Sequence, residues 1–418
     1  MQARQFKSVM SLLLFITFNI GIFAFATNSH SQSATYGNVE SSPVRRAILL
    51  SSDGGTRTFF GAPVAVDGDT IVVAAPMSQE AYVFVKPPNG WQNATETARL
   101  SPSIGGSIGF GSSVAISADT IIVAAPHAGN VHGIVFVYVK PPQGWTDMTE
   151  TAQLTASDVG DYDAFGIAIG ISNDTIVGTS QWAARAYVYA KPPAGWTNMT
   201  ETAELGDEDA TDFGVSVAIS GDNVIVGSSG CCIEGEPVPG RASIFVKPQS
   251  GWASTFTPDA VLTGSDETND DNFGEAIVYR NDTVVVGSDH NAGAAYVFIQ
   301  PPGGWTSMTE NAELTSTDSR PNDFFAHAVA TNGEIVAVGA PEWNDHSGVR
   351  GDVYIYDQPK SGWKTTSKAN TQIFSPPAQN ECELGQGLSM NETTLAVGCP
   401  GALVNNHQYQ GAVLVLSK

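Results

Sequence analysis

Cysteine is rare in this chain, positive charge is low, and a long apolar run occurs once. With four cysteines in 418 residues the fold rests on a packed core rather than a disulfide framework, and a hydrophobic content of 42% is enough for one. Lys and Arg number 19 against 42 Asp and Glu, and the net charge of −23 argues against nucleic acid and anionic membranes as partners. Helical periodicity is absent, which leaves an all-β reading. Also missing are GxSxG, HExxH and any His–Asp pair close in sequence, so no catalytic residue is assigned. The histidines His127, His132, His290, His346 and His407 fall in loops of different repeats without metal-ligand spacing, so no metal site is assigned either.

The one long apolar run is N-terminal. Arg4 and Lys7 precede SLLLFITFNIGIFAFA (Ser11–Ala26), and Ala24-Phe25-Ala26 suits a signal peptidase. Residues 1–26 are therefore expected to be a secretory signal, with an uncleaved anchor as the alternative. Residues 27–46, rich in Ser, Asn and Thr, are expected to form a flexible leader. The mature chain, with no membrane span, is expected to be secreted, or periplasmic or cell-surface in a bacterium. What is plentiful, 43 glycines and 23 prolines, suits a turn-rich β protein.

The rest of the chain repeats. FGSSVAISADTIIVAAP (Phe110–Pro126) returns as FGVSVAISGDNVIVGSS at Phe213 and NFGEAIVYRNDTVVVGSD at Asn272. Seven units start near Phe60, Phe110, Phe165, Phe213, Phe273, Phe324 and Leu384, a spacing of about 50–60 residues that suits propeller blades. Each unit holds four strand signals. Strand A (FGxSVAIS) is rich in small residues, as an innermost strand near a ring axis requires. Strand B (TIIVAAP) is continuously apolar, and strand C alternates, as in AYVFV (Ala81–Val85). A KPPxGW loop then leads to strand D (TAxL). Pro76, Pro126, Pro341 and Pro400 end strand B because proline donates no ladder hydrogen bond. Unit seven stops at its C strand, Ala412–Lys418, while Ala47–Ser51 matches a D strand. Docking that segment as the outer strand of blade seven closes the ring and removes two open edges. The expectation is a seven-bladed β-propeller of four-stranded blades over residues 47–418.

These FG…AP units resemble the FG-GAP repeats of integrin α-subunit propellers and their bacterial and eukaryotic relatives, over essentially the whole of residues 47–418. Departures are Phe324-Phe325 and Leu384-Gly385 for FG, and Thr179-Ser180, Ser228-Ser229 and Ser288-Asp289 for AP. The resemblance implies that ligands meet the face bearing the D–A and B–C loops, here called the top. It also raises calcium, which integrin propellers hold in long A–B loops. The A–B connections here shrink to Ser117-Ala118-Asp119 or Ser172-Asn173-Asp174, too short for six or more oxygens, so no cofactor is expected.

Five sequons, at Asn93, Asn173, Asn198, Asn281 and Asn391, fall in C–D loops and A–B turns, which assigns them to the opposite face and leaves the top bare. Either they carry glycans or the repeat makes them incidentally, since Asn-Asp is a good hairpin turn. Acid crowds three consecutive top loops, Asp158–Asp163, Asp207–Asp212 and Asp266–Asp271, read as a solvated acidic face or as weak cation binding. Six tryptophans belong to KPPxGW; Trp182 and Trp343 do not repeat and fall in top loops of blades three and six. They either pack loops or anchor a ligand, and with Asp163, Asp212 and Asp271 they are the candidate ligand-binding residues. Cys382 and Cys399 flank the A–B hairpin of blade seven and are expected to pair. Cys231 and Cys232 are adjacent in the blade-four B–C loop, as a vicinal disulfide or as two thiols. The functional expectation is an exported, non-catalytic recognition or adhesion module for an extracellular protein or glycan. Its alternatives are a lectin, as fungal relatives of this propeller type are, and an enzyme with a site at the axis.

Overall fold

A computed structural model describes residues 45–106, 108–160, 162–233, 236–266, 272–342, 351–375 and 381–417. Trp343, His346, Asp271 and the N-terminal signal lie outside these. All described residues fall in one compact unit, Pro43–Lys418.

Seven antiparallel four-stranded sheets form the blades. Blade one is typical: Val64–Asp67, Thr70–Ala75, Glu80–Val85 and Ala98–Leu100 are its strands A to D. The A strands of neighbouring blades touch in an unbroken circuit that returns from blade seven to blade one. Strand B is buried along its whole length in most blades, and it ends immediately before Pro76, Pro126, Pro341 and Pro400. Arg45–Leu49 pairs antiparallel with Ala412–Ser417, placing Ala47 opposite Val415 and completing blade seven. The closing strand thus starts two residues earlier than its sequence match suggested. Among the described residues, helix is limited to one turn, Ala128–Val131.

The Phe-Gly signature now has a physical meaning. The phenylalanine rings wedge between adjacent blades with no exposed surface; Phe110 meets Phe136 edge to face at 5.5 Å. Burying such a ring contributes about 1.5–3 kcal/mol. The glycine adopts a left-handed backbone (φ +102° at Gly61), and a Cβ there would stand 2.8 Å from the Ala412 carbonyl oxygen. Blade six corrects the expected start of its unit. Phe325, not Phe324, fills the core position, and Ala326 takes the glycine's place at φ 72°.

The C–D connection climbs along strand D of the preceding blade, in parallel bridges such as Leu100 with Met148 and Leu154 with Met199. One position per repeat caps that neighbour. Asn93 Oδ1 accepts from the Ile48 N–H, Asp147 from Arg99, and Asn198 from Gln153. A glutamate follows. Glu96 takes both the N–H and hydroxyl of Ser52, at 2.9 and 2.7 Å, and Glu150 does the same for Ser103, at 2.8 and 2.5 Å. Burial alone would raise these carboxyls, but the hydrogen bonds hold both below the usual range. The turn aspartates are likewise engaged: Asp69, Asp119, Asp174 and Asp222 meet Lys86, Lys140, Lys191 and Lys247 at 3.1–3.5 Å.

This corrects the sequon map. Asn93 and Asn198 lie on the outer rim against the preceding blade, because the C–D segment climbs instead of crossing the bottom. Their position serves for its capping oxygen, as Asp147 and Ser254 show at equivalent places. Asn391 is 2% exposed, and its Nδ2 donates to the Gly68 carbonyl at 2.9 Å, so a glycan there would break a buried contact. Asn173 and Asn281 are exposed on A–B turns. Cys382 and Cys399 form a disulfide with Cα atoms 5.0 Å apart. Cys231 and Cys232 lie in a strand paired with Glu236–Val238, and their side chains are outside the described set.

Candidate functional site

The acid of the top loops divides in two. The first aspartate of several D–A loops accepts a hydrogen bond from a strand-C hydroxyl. Tyr82 donates to Asp53, Tyr187 to Asp158, Tyr296 to Asp266 and Tyr354 to Asp318, at 2.8–3.1 Å. Ser243 makes the equivalent contact with buried Asp207 at 2.6 Å. Asp207 is therefore withdrawn from the acidic face, whereas Asp158 and Asp266 accept these hydroxyls and stay exposed on it.

Blade three gathers three of the sequence candidates. The D–A loop before it is tied by Asp163, whose Oδ2 accepts from the Gly160 N–H at 2.5 Å while its carbonyl accepts from Ser180 Oγ at 2.5 Å. Ser180 and Gln181 lead into the B–C loop carrying Trp182, and Gln181 Nε2 reaches Asp212 at 3.4 Å. Asp163 and Asp212 thus brace the loop from both sides. Trp182 stands 70% exposed on it. Tyr162, next to Asp163, is 73% exposed, in a left-handed backbone conformation (φ 77°). Among the described residues, the two largest exposed aromatics accordingly sit on two loops joined by the Ser180 hydrogen bond. Sequence reasoning missed Tyr162, although it too fails to recur, which is the signal that singled out Trp182. Met77 and Leu403 add exposed apolar surface in the B–C loops of blades one and seven.

A second cluster forms at the top of the axis, from residues 38 and 59 positions apart in sequence. His327 Nδ1 lies 3.0 Å from Asp289 Oδ2, and Gln386 Nε2 lies 3.0 Å from His327 Nε2, contacts that fit the Nδ1–H tautomer. Asn272 donates to the other oxygen of Asp289 at 3.2 Å. Burial would raise the Asp289 carboxyl, but the His327 and Asn272 hydrogen bonds hold it below the usual range. Beside it the Glu275 carboxyl is pushed up, first by burial and then by Asp289 and Asp212, against the opposing effect of His327. Glu275, His327 and Gln386 occupy one repeat position, two residues after the Phe or its Leu equivalent, so the ring gathers what sequence distance separates. Among the described residues, no group of His, Cys, Asp and Glu is arranged to hold a metal ion.

A family model described as FG-GAP repeat matches residues 44–84, 148–189, 256–298 and 308–356. The chain carries FG-GAP repeats in these four stretches. Each matched stretch runs from the approach to one strand D through the A, B and C strands of the next blade, so the FG-GAP sequence unit is offset by one strand from the blade. That offset is what lets Arg45–Leu49 close the ring. No curated protein matches the chain in sequence. Among solved structures it is similar to the computationally designed Ika8 protein (12% identity, TM-score 0.50, covering 90% of this chain and 100% of that one). It is also similar to virginiamycin B lyase from Staphylococcus aureus (11% identity, TM-score 0.52, covering 90% and 99%). Likeness at these identities is one of fold alone.

Proposed function

We propose that this FG-GAP propeller is an exported, non-catalytic recognition module that presents its top loops to an extracellular protein or glycan. The observation that carries the reading is the Tyr162–Trp182 pair, two exposed aromatics on hydrogen-bonded loops of blade three. Exposed aromatics supply large, stiff contact area for a sugar face or a protein anchor. Asp163 and Asp212 hold the loops in place and give the site a negative field that favours a cationic or hydroxyl-rich partner. Export is supported by the Ser11–Ala26 apolar run and by the Cys382–Cys399 disulfide, since such bonds persist in oxidising compartments.

The test is binding of the purified chain to an array of glycans and immobilised extracellular proteins, beside Tyr162→Ala/Trp182→Ala. Binding that the double variant loses supports the reading; binding that it retains rejects the site.

The His327–Asp289–Gln386 chain favours a second reading, acid–base catalysis at the axis, because a carboxylate orients the imidazole. Turnover on panels of glycosides, esters and phosphates, lost in His327→Ala, would replace the recognition reading with this one.

A further inference from the structure

The ring axis opens in a mouth on the face of the A–B turns, and all seven blades line it. It encloses about 340 Å³, near the lower end of small-ligand pockets, which run from about 300 to 1,000 Å³. The last strand-A residue before the turn decides its chemistry. Blades one to five place Asp67, Ser117, Ser172, Ser220 and Arg280 there, all in the wall. Ile116, Ile171 and Ile219, buried in the interblade cores, contribute only their edges, so the wall is mainly polar.

Arg280 is the distinctive group. It projects from blade five and reaches blades seven and one, donating to the Met390 carbonyl at 3.0 Å. Its ion pairs with Asp67 and Glu392 are both long, at 3.5 Å. A guanidinium carries five N–H donors, so these contacts leave it with donor capacity facing the mouth. Ser117 and Ser172 already accept from the next blade's turn N–H, each at 3.1 Å, which leaves their hydroxyl protons to donate.

We propose that this mouth binds one neutral sugar ring. A sugar hydroxyl both donates and accepts, and the wall offers both partners side by side: carboxylates at Asp67 and Glu392, guanidinium donors at Arg280, and serine hydroxyls. Two carboxylates against one guanidinium disfavour an anion. The volume holds one ring and not a chain. This site is separate from the Tyr162–Trp182 surface and lies on the face that the sequons had seemed to set aside.

The test is saturation-transfer NMR on the full chain with glucose, galactose, mannose and xylose, and with glucuronate as the anionic probe. At least one neutral sugar is expected to bind, and Arg280→Met is expected to weaken it at least 10-fold. Ser220→Leu, which fills the mouth without touching the Arg280 contacts, should do the same in a chain whose melting curve is unchanged. Tyr162→Ala/Trp182→Ala should leave this binding intact, so failure here and failure of the top-face reading are distinguishable. Silence from all four neutral sugars, preference for glucuronate, or binding that survives Ser220→Leu overturns the proposal.

Discussion

Along the rim and the turn face, the same contacts recur from blade to blade. Asn93, Asp147 and Asn198 cap a neighbour's strand, Glu96 and Glu150 clasp a serine, and Lys86 and Lys140 meet a turn aspartate. On the top face, among the described residues, little recurs beyond the aspartates that accept a strand-C hydroxyl. Tyr162, Trp182 and the His327 cluster each belong to one place in the ring. The difference shows how one repeat can be both rigid and particular: positions that touch the next blade are held to one chemistry, and positions that touch solvent or the axis are released from it. The channel mouth on the turn face is the exception, because the last strand-A residue varies there from Asp67 through three serines to Arg280.

The largest expected effect breaks a recurring position. Phe110→Ala removes a fully buried interblade ring and should cost about 3–5 kcal/mol in urea unfolding. A loss under about 1 kcal/mol would mean that blades do not depend on the Phe wedge.

The next two substitutions sharpen the contrast by sign. Glu150 has a depressed carboxyl, so its contribution is present above the usual carboxylate range and is lost as pH falls through its folded value. Glu150→Gln should cost about 1–2 kcal/mol at pH 7 and close to nothing in acid. Glu275 has a raised carboxyl, whose favourable contribution is present below the usual range and is lost as pH rises through its folded value. Glu275→Gln should therefore stabilise at pH 7, with the gain vanishing on acidification. Melting curves of both variants across pH 4–8 read the opposite slopes; parallel slopes would contradict the electrostatic account.

Ala326→Gly should add about 1 kcal/mol, since it relieves an alanine held at φ 72° where the other blades use glycine. Smallest of all, Tyr162→Ala/Trp182→Ala should change stability by no more than about 0.5 kcal/mol, as the rings touch solvent and not core.

The fold was legible because the ring repeats its instructions. Phe-Gly, the strand-B proline and the unmatched Ala47 segment dictate blade count and closure through core packing and edge pairing, and these are local patterns. The strand start and the Phe325 register slipped by one or two residues, since neighbouring residues there can fill the same role. The site was legible in part. Trp182 stands out by failing to recur, while Asp163 and Asp212, candidates from separate acidic loops, brace the loop that carries it. The His327–Asp289 pair and the Arg280 mouth were not legible, because their partners come from different blades and meet only when the ring closes. Composition misled at Asp207, which reads as surface acid but is buried against the Ser243 hydroxyl, while Asp158 and Asp266 are exposed as expected.

The central claim is that the top face of blade three reads the partner. Its most direct measurement is the array of glycans and extracellular proteins, with wild type, Tyr162→Ala/Trp182→Ala and Arg280→Met compared side by side. The account predicts wild-type binding that the aromatic double variant loses by at least 10-fold and Arg280→Met keeps. Binding retained by the double variant, or no binding by the wild type to any probe, would contradict it.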